Sequence, residues 1–389
     1  MKWPLVKLGE VCKFVRGPFG GALKKECFVE DGFAIYEQQH AIYNQFSEIR
    51  YFVDEIKFNE LKRFMLNPGD LIMSCSGTMG KIAIVPDNIK TGIINQALLK
   101  LTPSEAVDIN YLKYWLESES FQFILNGMTH GAAIKNVASV AVLKEIEIPL
   151  PPLDEQKRIA AILDKADAIR RKRQQAIQLA DDFLRSVFLD MFGDPVTNPK
   201  GWEVKKFSDL GNWASGGTPS RSVSGYFEGE INWFSARELN HRYLNESVEK
   251  ITDAALSKSA AKIFPAGSML VGMYDTAAFK ISILNVASAS NQACANIIPN
   301  EKIDIEWFFS FIEFSKETYL RQRRGVRQQN LNLGMIKDFD LPLPPKTEQE
   351  KFVKLAHKTM QMKERNYSSL SNSLDSFNSL SQKAFAGDL

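Results

Sequence analysis

Cysteine is scarce in this chain, and the features that would indicate secretion or membrane insertion are missing. The 389 residues contain only Cys12, Cys27, Cys75 and Cys294, without a CxxC pair. This scatter argues against a zinc cage or a disulfide framework and predicts a reducing, cytoplasmic compartment. The N-terminus has no apolar signal core, and no apolar run reaches the length of about 18 residues that would predict a membrane span.

Net charge is small as well, at +2. A surface that binds a polyanion must therefore come from local placement of basic residues. With 44% hydrophobic and 24% charged residues, the composition is that of a globular protein. The length allows two or three domains.

Catalytic motifs are absent too. The sequence has no [DNS]PP[YFW] motif of an amino-methyltransferase and no FxGxG turn for its methyl donor. GTMGK at residues 77–81 superficially resembles a phosphate loop, but Ile82 stands where a Ser or Thr would hold magnesium. Glu155 and Lys157 match the ExK of some nucleases, yet Glu is favoured at a helix start for dipole reasons. The four histidines show no metal-ligand spacing. We predict neither a catalytic nor a metal site.

The main positive feature is a repeat. PLPPLDEQ at residues 149–156 recurs as PLPPKTEQ at residues 342–349, 193 positions later. Further pairs keep the same order at similar offsets, so the duplication covers nearly the whole chain. These pairs are Trp3 with Trp202, Lys81-Ile-Ala-Ile with Lys280-Ile-Ser-Ile, Asn95-Gln-Ala with Asn291-Gln-Ala, and Gly131 and Asn136 with Gly325 and Asn330.

Each copy has two parts. About 150 residues of short β-branched runs, interrupted by Gly, Pro and Asn, predict strands. A long helix follows, with Asp154 and Thr347 as predicted N-caps and ends near Phe192 and Phe385. The first helix would have about 39 residues and a length of roughly 58 Å.

Apolar residues in both helices follow the 3-4 spacing of a coiled-coil seam. We predict an α+β fold in which two tandem α/β domains are separated by long helices. The helices pair as an antiparallel coiled coil, and a pseudo-twofold axis relates the two halves. The seam comprises Ile159, Ile162, Ala166, Ile169, Ala176, Ala180, Phe183 and Val187 in the first helix, and Val353, Ala356, Met360, Tyr367, Leu370, Leu374, Phe377 and Ala384 in the second. A second apolar stripe, through Leu163, Ile177, Leu184, Phe188 and Met191, predicts that the first helix is buried on more than one side.

Basic residues concentrate in one loop. RQRRGVRQQN at residues 321–330 combines four arginines and three glutamines, the mixture that contacts phosphates and base edges. A solvated helix end remains the alternative. The matching segment THGAAIKN at residues 129–136 is much less basic, which indicates different targets for the two domains. The run from Arg170 to Arg173 is either a solvated face or a contact to DNA phosphates or an acidic partner.

A duplicated domain, each copy closed by PLPPxxEQ and a long helix, resembles the specificity subunit of a type I restriction-modification enzyme. The resemblance rests on LGEVCKFVRGPFGGALKK, YEQQHAI, GGTPSRSVSGYFEGEINWFSARELN and, most specifically, IPLPPLDEQKRIAAILDKADAI. It departs from the family after the second Glu-Gln, where the usual Arg-Ile-Val is missing. This departure concerns the distal docking surface.

The resemblance implies a noncatalytic protein that binds double-stranded DNA. Each target-recognition domain would read one half of a bipartite site, while the helices set the spacer and dock two modification (methyltransferase) subunits. Restriction subunits would complete the complex. The chain itself would bind no cofactor or membrane, and S-adenosylmethionine, ATP and magnesium would belong to the partner subunits. The implied parts are recognition domains at 1–150 and 199–344 and helical spacers at 151–198 and 345–389. The alternative is a solitary or silent specificity subunit that donates recognition domains by recombination.

Candidate DNA contacts are polar or basic loop residues at repeat-equivalent positions. In the first domain they are Lys24, Lys25, Gln38, Gln39, His40, Ser76, Thr78, Lys81, Lys135 and Asn136. In the second domain they are Ser220, Arg221, Arg237, Tyr274, Thr276, Lys280, Arg323, Arg324, Arg327, Gln328 and Gln329.

Overall fold

The computed structural model describes residues 3–127, 139–321 and 330–389. The chain divides into two compact units. The first unit comprises Met1–Gln175 and Asn366–Leu389, and the second comprises Ala176–Arg365. Each unit therefore contains one strand-rich domain and a part of each long helix.

The first unit has ten strands and six short helices among its described residues. The strands are β1 Leu5–Lys7, β2 Cys12–Arg16, β3 Phe28–Val29, β4 Phe33–Tyr36, β5 Phe52–Val53, β6 Leu71–Ser74, β7 Ile82–Ile84, β8 Gly92–Ile94, β9 Leu98–Pro103 and β10 Glu147–Pro149. The helices are α1 Leu8–Val11, α2 Gln38–Tyr43, α3 Glu55–Glu60, α4 Ile109–Glu117, α5 Glu119–Gly127 and α6 Val140–Lys144.

The long helix α7 Leu153–Phe192 leads into the second unit. The strands there are β11 Glu203–Lys206, β12 Gly211–Ser215, β13 Ile231–Phe234, β14 Tyr243–Leu244, β15 Glu249–Ile251, β16 Ile263–Phe264, β17 Met269–Gly272, β18 Ile281–Leu284, β19 Ser288–Ser290, β20 Cys294–Pro299 and β21 Asp340–Leu343. The helices are α8 Asp253–Ser257, α9 Ile305–Leu320, α10 Leu333–Asp338 and the long α11 Lys346–Ala386.

The two units repeat the same sheet plan. In the first unit one sheet has the order β2-β9-β6-β7 and another has the order β3-β5-β4-β8. In the second unit the corresponding orders are β12-β20-β17-β18-β14 and β15-β13-β19-β16. The parallel pair β4 and β8 of the first unit corresponds to the parallel pair β13 and β19 of the second unit. A two-stranded ribbon, β1-β10 or β11-β21, completes each domain. The duplication predicted from sequence is thus a duplication of fold.

The long helices run antiparallel within each unit, as predicted. In the first unit the Arg170 guanidinium lies 5.9 Å from the ring centroid of Phe377, and Arg158 donates to the Leu389 carbonyl at 3.0 Å. Residues further along α7 therefore contact residues nearer the start of α11, as in an antiparallel pair. The second unit has the same sense, with Lys363 paired to Asp181 at 2.5 Å and the rings of Phe188 and Phe352 in contact.

The repeated Glu-Gln ties each domain to its long helix. Gln156 is fully buried at the start of α7; its Oε1 accepts from the Asp108 backbone N–H at 2.8 Å and its Nε2 donates to the Ala106 and Pro151 carbonyls. Gln349 makes the same three bonds at the start of α11, with the Asp304 N–H and the Lys302 and Pro344 carbonyls. We call each set of three bonds a glutamine clamp. The clamp holds the loop in front of α4 or α9 against the long helix, which explains why the motif occurs twice.

Tryptophan closes each domain at its other end. The Trp3 indole N–H donates to the Ala384 carbonyl near the end of α11, and the Trp202 indole N–H donates to the Phe192 carbonyl at the end of α7. Each domain therefore packs on the start of one long helix and the end of the other. The hydrophobic core of each unit includes side chains from both helices.

Two details of the helices differ from prediction. Helix α7 begins at Leu153 and α11 at Lys346, because the Pro152 and Pro345 carbonyls already accept the first helical bonds; Asp154 and Thr347 lie inside the first turn and are not N-caps. Four residues assigned to the seam are exposed instead: Ile169 at 50%, Phe183 at 48%, Tyr367 at 53% and Leu374 at 39%. Ile159 and Ala180 of the seam are buried, and so are Leu163, Ile177 and Phe188 of the second apolar stripe of α7.

In the described part of the chain, none of the helices combines the length and the apolar character needed to cross a membrane.

Candidate nucleic-acid interface

Polar residues follow two adjacent parallel strands of the first unit. The Asn95 N–H donates to the Tyr36 carbonyl at 2.9 Å, so the carboxyl ends of β4 and β8 lie side by side. Gln38 and Gln39 begin α2 directly after β4, and Gln96 follows β8. We call this surface, with the β6-β7 hairpin beside it, the first edge. Such an edge is the usual location of a ligand site in a sheet with parallel strands.

The β6-β7 hairpin is tied to the same edge. The Cys75 N–H donates to the Ala97 carbonyl at 2.9 Å, and α2 packs against both strands of the hairpin. Inside the turn, Ser74 Oγ donates to the Thr78 carbonyl and accepts from the Lys81 N–H. The turn holds the predicted contacts Ser76, Thr78 and Lys81 at the end of the hairpin that packs on α2, and it leaves Thr78 and Lys81 exposed.

The second unit builds an equivalent second edge. The Asn291 N–H donates to the Phe234 carbonyl at 2.9 Å, and the Met273 N–H donates to the Ala293 carbonyl at 2.9 Å. Arg237, predicted as a DNA contact, is exposed directly after β13, and Gln292 is exposed after β19. The β17-β18 hairpin exposes Tyr274 and Thr276 beside them, and Lys280 there donates to Asn240 Oδ1 at 2.7 Å.

A glycine-containing loop presses on each edge. A Cβ on Gly17 would lie 1.9 Å from the Asn95 carbonyl oxygen, and one on Gly216 would lie 2.3 Å from that of Asn291. Only glycine allows so close an approach. The two units differ at the position two residues after each glycine. In the first unit this residue is Phe19, which is 72% exposed. In the second unit it is Thr218, which donates its hydroxyl to Gln292 Oε1.

His40 does not belong to the predicted DNA surface. It is fully buried; its Nδ1 accepts from the Glu37 N–H at 2.9 Å and its Nε2 lies 3.1 Å from the Glu48 carbonyl. The ring also contacts Tyr36 edge-on. Nδ1 caps the start of α2 and Nε2 contacts the loop that follows this helix, so His40 is a core residue here and the prediction that it contacts DNA is wrong on this geometry.

Arg221 is exposed but already engaged. It forms a bidentate pair with Glu249 at 2.8 and 2.7 Å and lies 4.4 Å from the ring centroid of Phe227. This pairing raises the pKa of Arg221 and lowers that of Glu249. A phosphate contact by Arg221 would have to compete with that carboxylate. Its neighbour Ser220 is exposed and hydrogen-bonded to Ser222.

The remaining predicted residues divide into two groups. Lys24 and Lys25 are exposed in the loop beyond Phe19. Outside the described residues lie Lys135, Asn136, Arg323, Arg324, Arg327, Gln328 and Gln329. The arginine cluster therefore stays a prediction.

The basic run in α7 is partly neutralised. Asp167 accepts from Arg170 at 2.8 Å and pairs with Arg171 at 3.0 Å. These ion pairs favour the reading of this run as a solvated face.

Three exposed residues of these edges were not among the contacts predicted from sequence: Phe19, Gln96 and Gln292. Gln96 and Gln292 were visible in the repeated Asn-Gln-Ala, which marked them as equivalent positions. Phe19 was overlooked because only polar and basic residues were considered.

The buried thiols offer no nucleophile at neutral pH. Burial raises the pKa of Cys12, Cys75 and Cys294 to about 12, so these groups remain protonated. Across the described ranges, no three His, Cys, Asp or Glu side chains are grouped as ligands of a metal ion.

Comparison with known proteins gives one consistent result. The model of a family described as the type I restriction modification DNA specificity domain matches residues 1–179 and 199–364. The specificity subunit of the type I restriction enzyme EcoR124I/EcoR124II from Escherichia coli is 26% identical over 263 residues, which cover 64% of this chain and 63% of that subunit. The match thus spans less than two thirds of that relative.

A fuller match comes from Methanocaldococcus jannaschii. Its type I restriction enzyme MjaVIII specificity subunit is 25% identical over 384 residues, covering 90% of this chain and 84% of that subunit. Among solved structures, a chain of a type I R-M system superposes with a TM-score of 0.62 at 15% identity, covering 100% of this chain and 98% of that one. This likeness shows a common fold.

Proposed function

The chain belongs to the type I restriction-modification DNA specificity family, and from this premise we propose that each of its two units reads one half of a bipartite DNA site. The observation that carries the proposal is the pair of equivalent edges. Each edge presents amide, hydroxyl and basic side chains at the carboxyl ends of two parallel strands, and these are the groups that bond to base edges and phosphates. The chain is the noncatalytic subunit of its complex.

Different side chains on the two edges support two different half-sites. The second residue of the helix that follows the parallel strand is Gln39 in the first unit and Arg237 in the second unit. Glutamine pairs well with adenine and arginine with guanine. The two domains therefore recognise distinct sequences with one architecture.

The long helices dock two methyltransferase subunits. Leu179 and Phe183, one turn apart on α7 in the second unit, are 57% and 48% exposed, and in the first unit Ile169 and Leu374 are exposed on α7 and α11. Neighbouring exposed apolar side chains, such as Leu179 and Phe183, are typical of a protein contact surface, whereas single ones are common on any surface. S-adenosylmethionine would bind to those partner subunits, while ATP and magnesium would serve the restriction subunits.

The helices also set the spacer between half-sites. With 40 residues, α7 is about 60 Å long, which exceeds the roughly 34 Å of one DNA turn. Inserting one heptad into both α7 and α11 is expected to lengthen the spacer and leave both half-sites unchanged. An altered half-site would contradict this role of the helices.

Methylome sequencing of the source strain, with and without the gene, tests the proposed function. We expect one bipartite adenine-methylated motif that disappears with the gene. A motif that persists, or one with a single uninterrupted site, would contradict the proposal. The alternative of a silent donor of recognition domains has no support in the comparisons, and it would leave the methylome unchanged.

A further inference from the structure

The Asn-Gln-Ala turn is built identically on both edges, and its asparagine has a clear structural role. Asn95 Oδ1 accepts from the Ala97 N–H at 3.0 Å, and Asn291 Oδ1 accepts from the Ala293 N–H at 3.1 Å. The side chain closes the turn that ends β8 or β19. Folding alone therefore explains why asparagine is present in both copies.

Alanine in the turn is explained by its place against the neighbouring hairpin. The Ala97 carbonyl accepts from Cys75 and the Ala293 carbonyl accepts from Met273. This bond joins the turn to the β6-β7 or β17-β18 hairpin. A small side chain suits the position because the two segments lie so close.

The glutamine side chain, in contrast, makes few contacts with the rest of the fold. Both Gln96 and Gln292 are exposed. Within the described chain Gln96 forms no side-chain hydrogen bond, and Gln292 only accepts one, from Thr218. The NH2 group of each side chain thus makes no bond to the described residues. An exposed NH2 group that is present in both copies and makes no bond to the described residues requires another explanation.

The position of each glutamine is nevertheless fixed on two sides. The asparagine bond holds the turn from within, and the Gly17 or Gly216 loop presses on it from outside. Because the backbone of the turn is held in place, binding has to order only the glutamine side chain itself. The backbone that carries each glutamine is therefore preorganised.

Side chains around the two glutamines differ between the units. Phe19 in the first unit stands where the second has Thr218, and Gln39 stands where the second has Arg237. A group that stays the same while its neighbours change suits a feature of DNA that does not depend on sequence. Phosphate oxygens are such a feature, and amide donors contact them commonly.

We propose that Gln96 and Gln292 each donate a hydrogen bond to the sugar-phosphate backbone of DNA, as the contact that both units share. This inference rests on the proposed function. In each unit the glutamine places the half-site in register, while the differing neighbours read its bases.

The test uses Gln96→Ala and Gln292→Ala in the full chain, expressed with its modification subunit. Each variant is expected to weaken binding of a duplex carrying the native motif about tenfold, the effect of one charge-assisted hydrogen bond, while the methylated motif keeps every base preference. Asn59→Ala, which removes an exposed amide on α3, is the matched control and should change neither quantity. Urea unfolding should be unaffected by either glutamine substitution.

Duplexes with single methylphosphonate substitutions identify the atom contacted. With the wild-type chain, one position in the first half-site should weaken binding, and the same position should have little further effect on Gln96→Ala. A relaxed base preference at one position would overturn the inference and make the glutamine a base reader. Unchanged affinity would overturn it as well. If the wild-type chain directed no bipartite motif at all, the proposed function itself would fail, and the inference with it.

Discussion

The two units agree where each domain joins its long helix and differ where it presents side chains to solvent. Gln156 and Gln349 make the same three hydrogen bonds, and Asp108 and Asp304 cap α4 and α9 in the same way. At the tips of the glycine loops, an exposed Phe19 corresponds to a hydrogen-bonded Thr218. The framework positions the edges, and the variable side chains on them are free to define different sequences.

One difference between the units reaches into the supporting helices. Glu117 in α4 and Glu313 in α9 occupy the same helical position, nine residues after their capping aspartates. Lys113 pairs with Glu117 at 2.8 Å, but the equivalent of Lys113 is Phe309. Among the described residues Glu313 has no ion pair, and it lies in a cleft of 390 Å³ with Arg242, Lys316 and Lys363 nearby. The two units therefore share a fold although the charges on α4 and α9 are placed differently.

The largest effect is expected from breaking the glutamine clamps. Gln156→Ala and Gln349→Ala each remove three buried hydrogen bonds and leave two carbonyls and one N–H without partners, at a cost of about 3 kcal/mol in the free energy of unfolding. Hydrogen exchange at the Asp108 and Asp304 amides should accelerate in the corresponding variant. Lys157→Ala and Glu350→Ala, at exposed neighbouring positions, are controls. If one clamp variant proved harmless, the two joints would not be equivalent.

A second effect should follow from adding a methyl group to the glycine loops. Gly17→Ala and Gly216→Ala place a Cβ within 2.3 Å of a backbone oxygen, and we expect each to destabilise its own unit by about 2 kcal/mol and to weaken binding of its own half-site. Gly127→Ala, where a Cβ meets no atom within 4 Å, is the control. Unchanged thermal unfolding of the loop variants would show that these loops can move away from the turns.

Exchanging the loop tips should change sequence preference rather than stability. Phe19→Thr and Thr218→Phe are expected to shift base preference by about tenfold at one position of the corresponding half-site, since a good base contact contributes about 1–3 kcal/mol. Methylome sequencing of each variant measures this shift, and the untouched half-site is the internal control. A motif that stays unchanged in both variants would remove these tips from the reading surface.

The smallest effect concerns the two glutamates and pH. Although solvent reaches the Glu313 side chain, the cleft around it desolvates the carboxylate and raises its pKa above the usual 4.5. The folded state therefore holds this proton more tightly, so the contribution of Glu313 to stability falls as pH rises from 4.5 through the raised pKa. Glu313→Gln should therefore make the protein more stable than the wild type at pH values above the raised pKa, and should change its stability little below pH 4.5. Glu117→Gln should instead cost about 0.4 kcal/mol at neutral pH, because it breaks the pair with Lys113. Urea unfolding from pH 4 to 8 compares the two, and equal pH profiles would contradict the difference.

The repeat and the two long helices could be predicted because both leave regular patterns in the sequence. Strand-rich domains of about 150 residues followed by uninterrupted 3-4 spacing specify the element types directly. The seam was harder to assign, because two apolar stripes on α7 have similar periodicity. Packing within each unit buries Leu163 and Phe188 and leaves Phe183 exposed.

The candidate site was predicted less completely, for identifiable reasons. The clamp was not foreseen because Gln156 bonds to backbone groups about 50 residues away in sequence, and no local pattern shows this. His40 was misassigned because a histidine that caps a helix looks like any loop histidine in sequence. Phe19 was missed because the predicted contacts were limited to polar and basic residues, and sequence does not show that the folded loop exposes this apolar side chain.

The glutamine clamp has one more consequence for a protein that binds a polyanion. Its amide carries no charge, so counterions do not compete for its bonds, and neither ionic strength nor the field of a nearby phosphate row weakens them directly. Had Lys and Glu made this joint, the salt that releases DNA would also loosen the attachment of each domain to its helix. Because the joint is neutral, salt can dissociate the nucleic acid and leave the protein's own geometry ready for the next encounter.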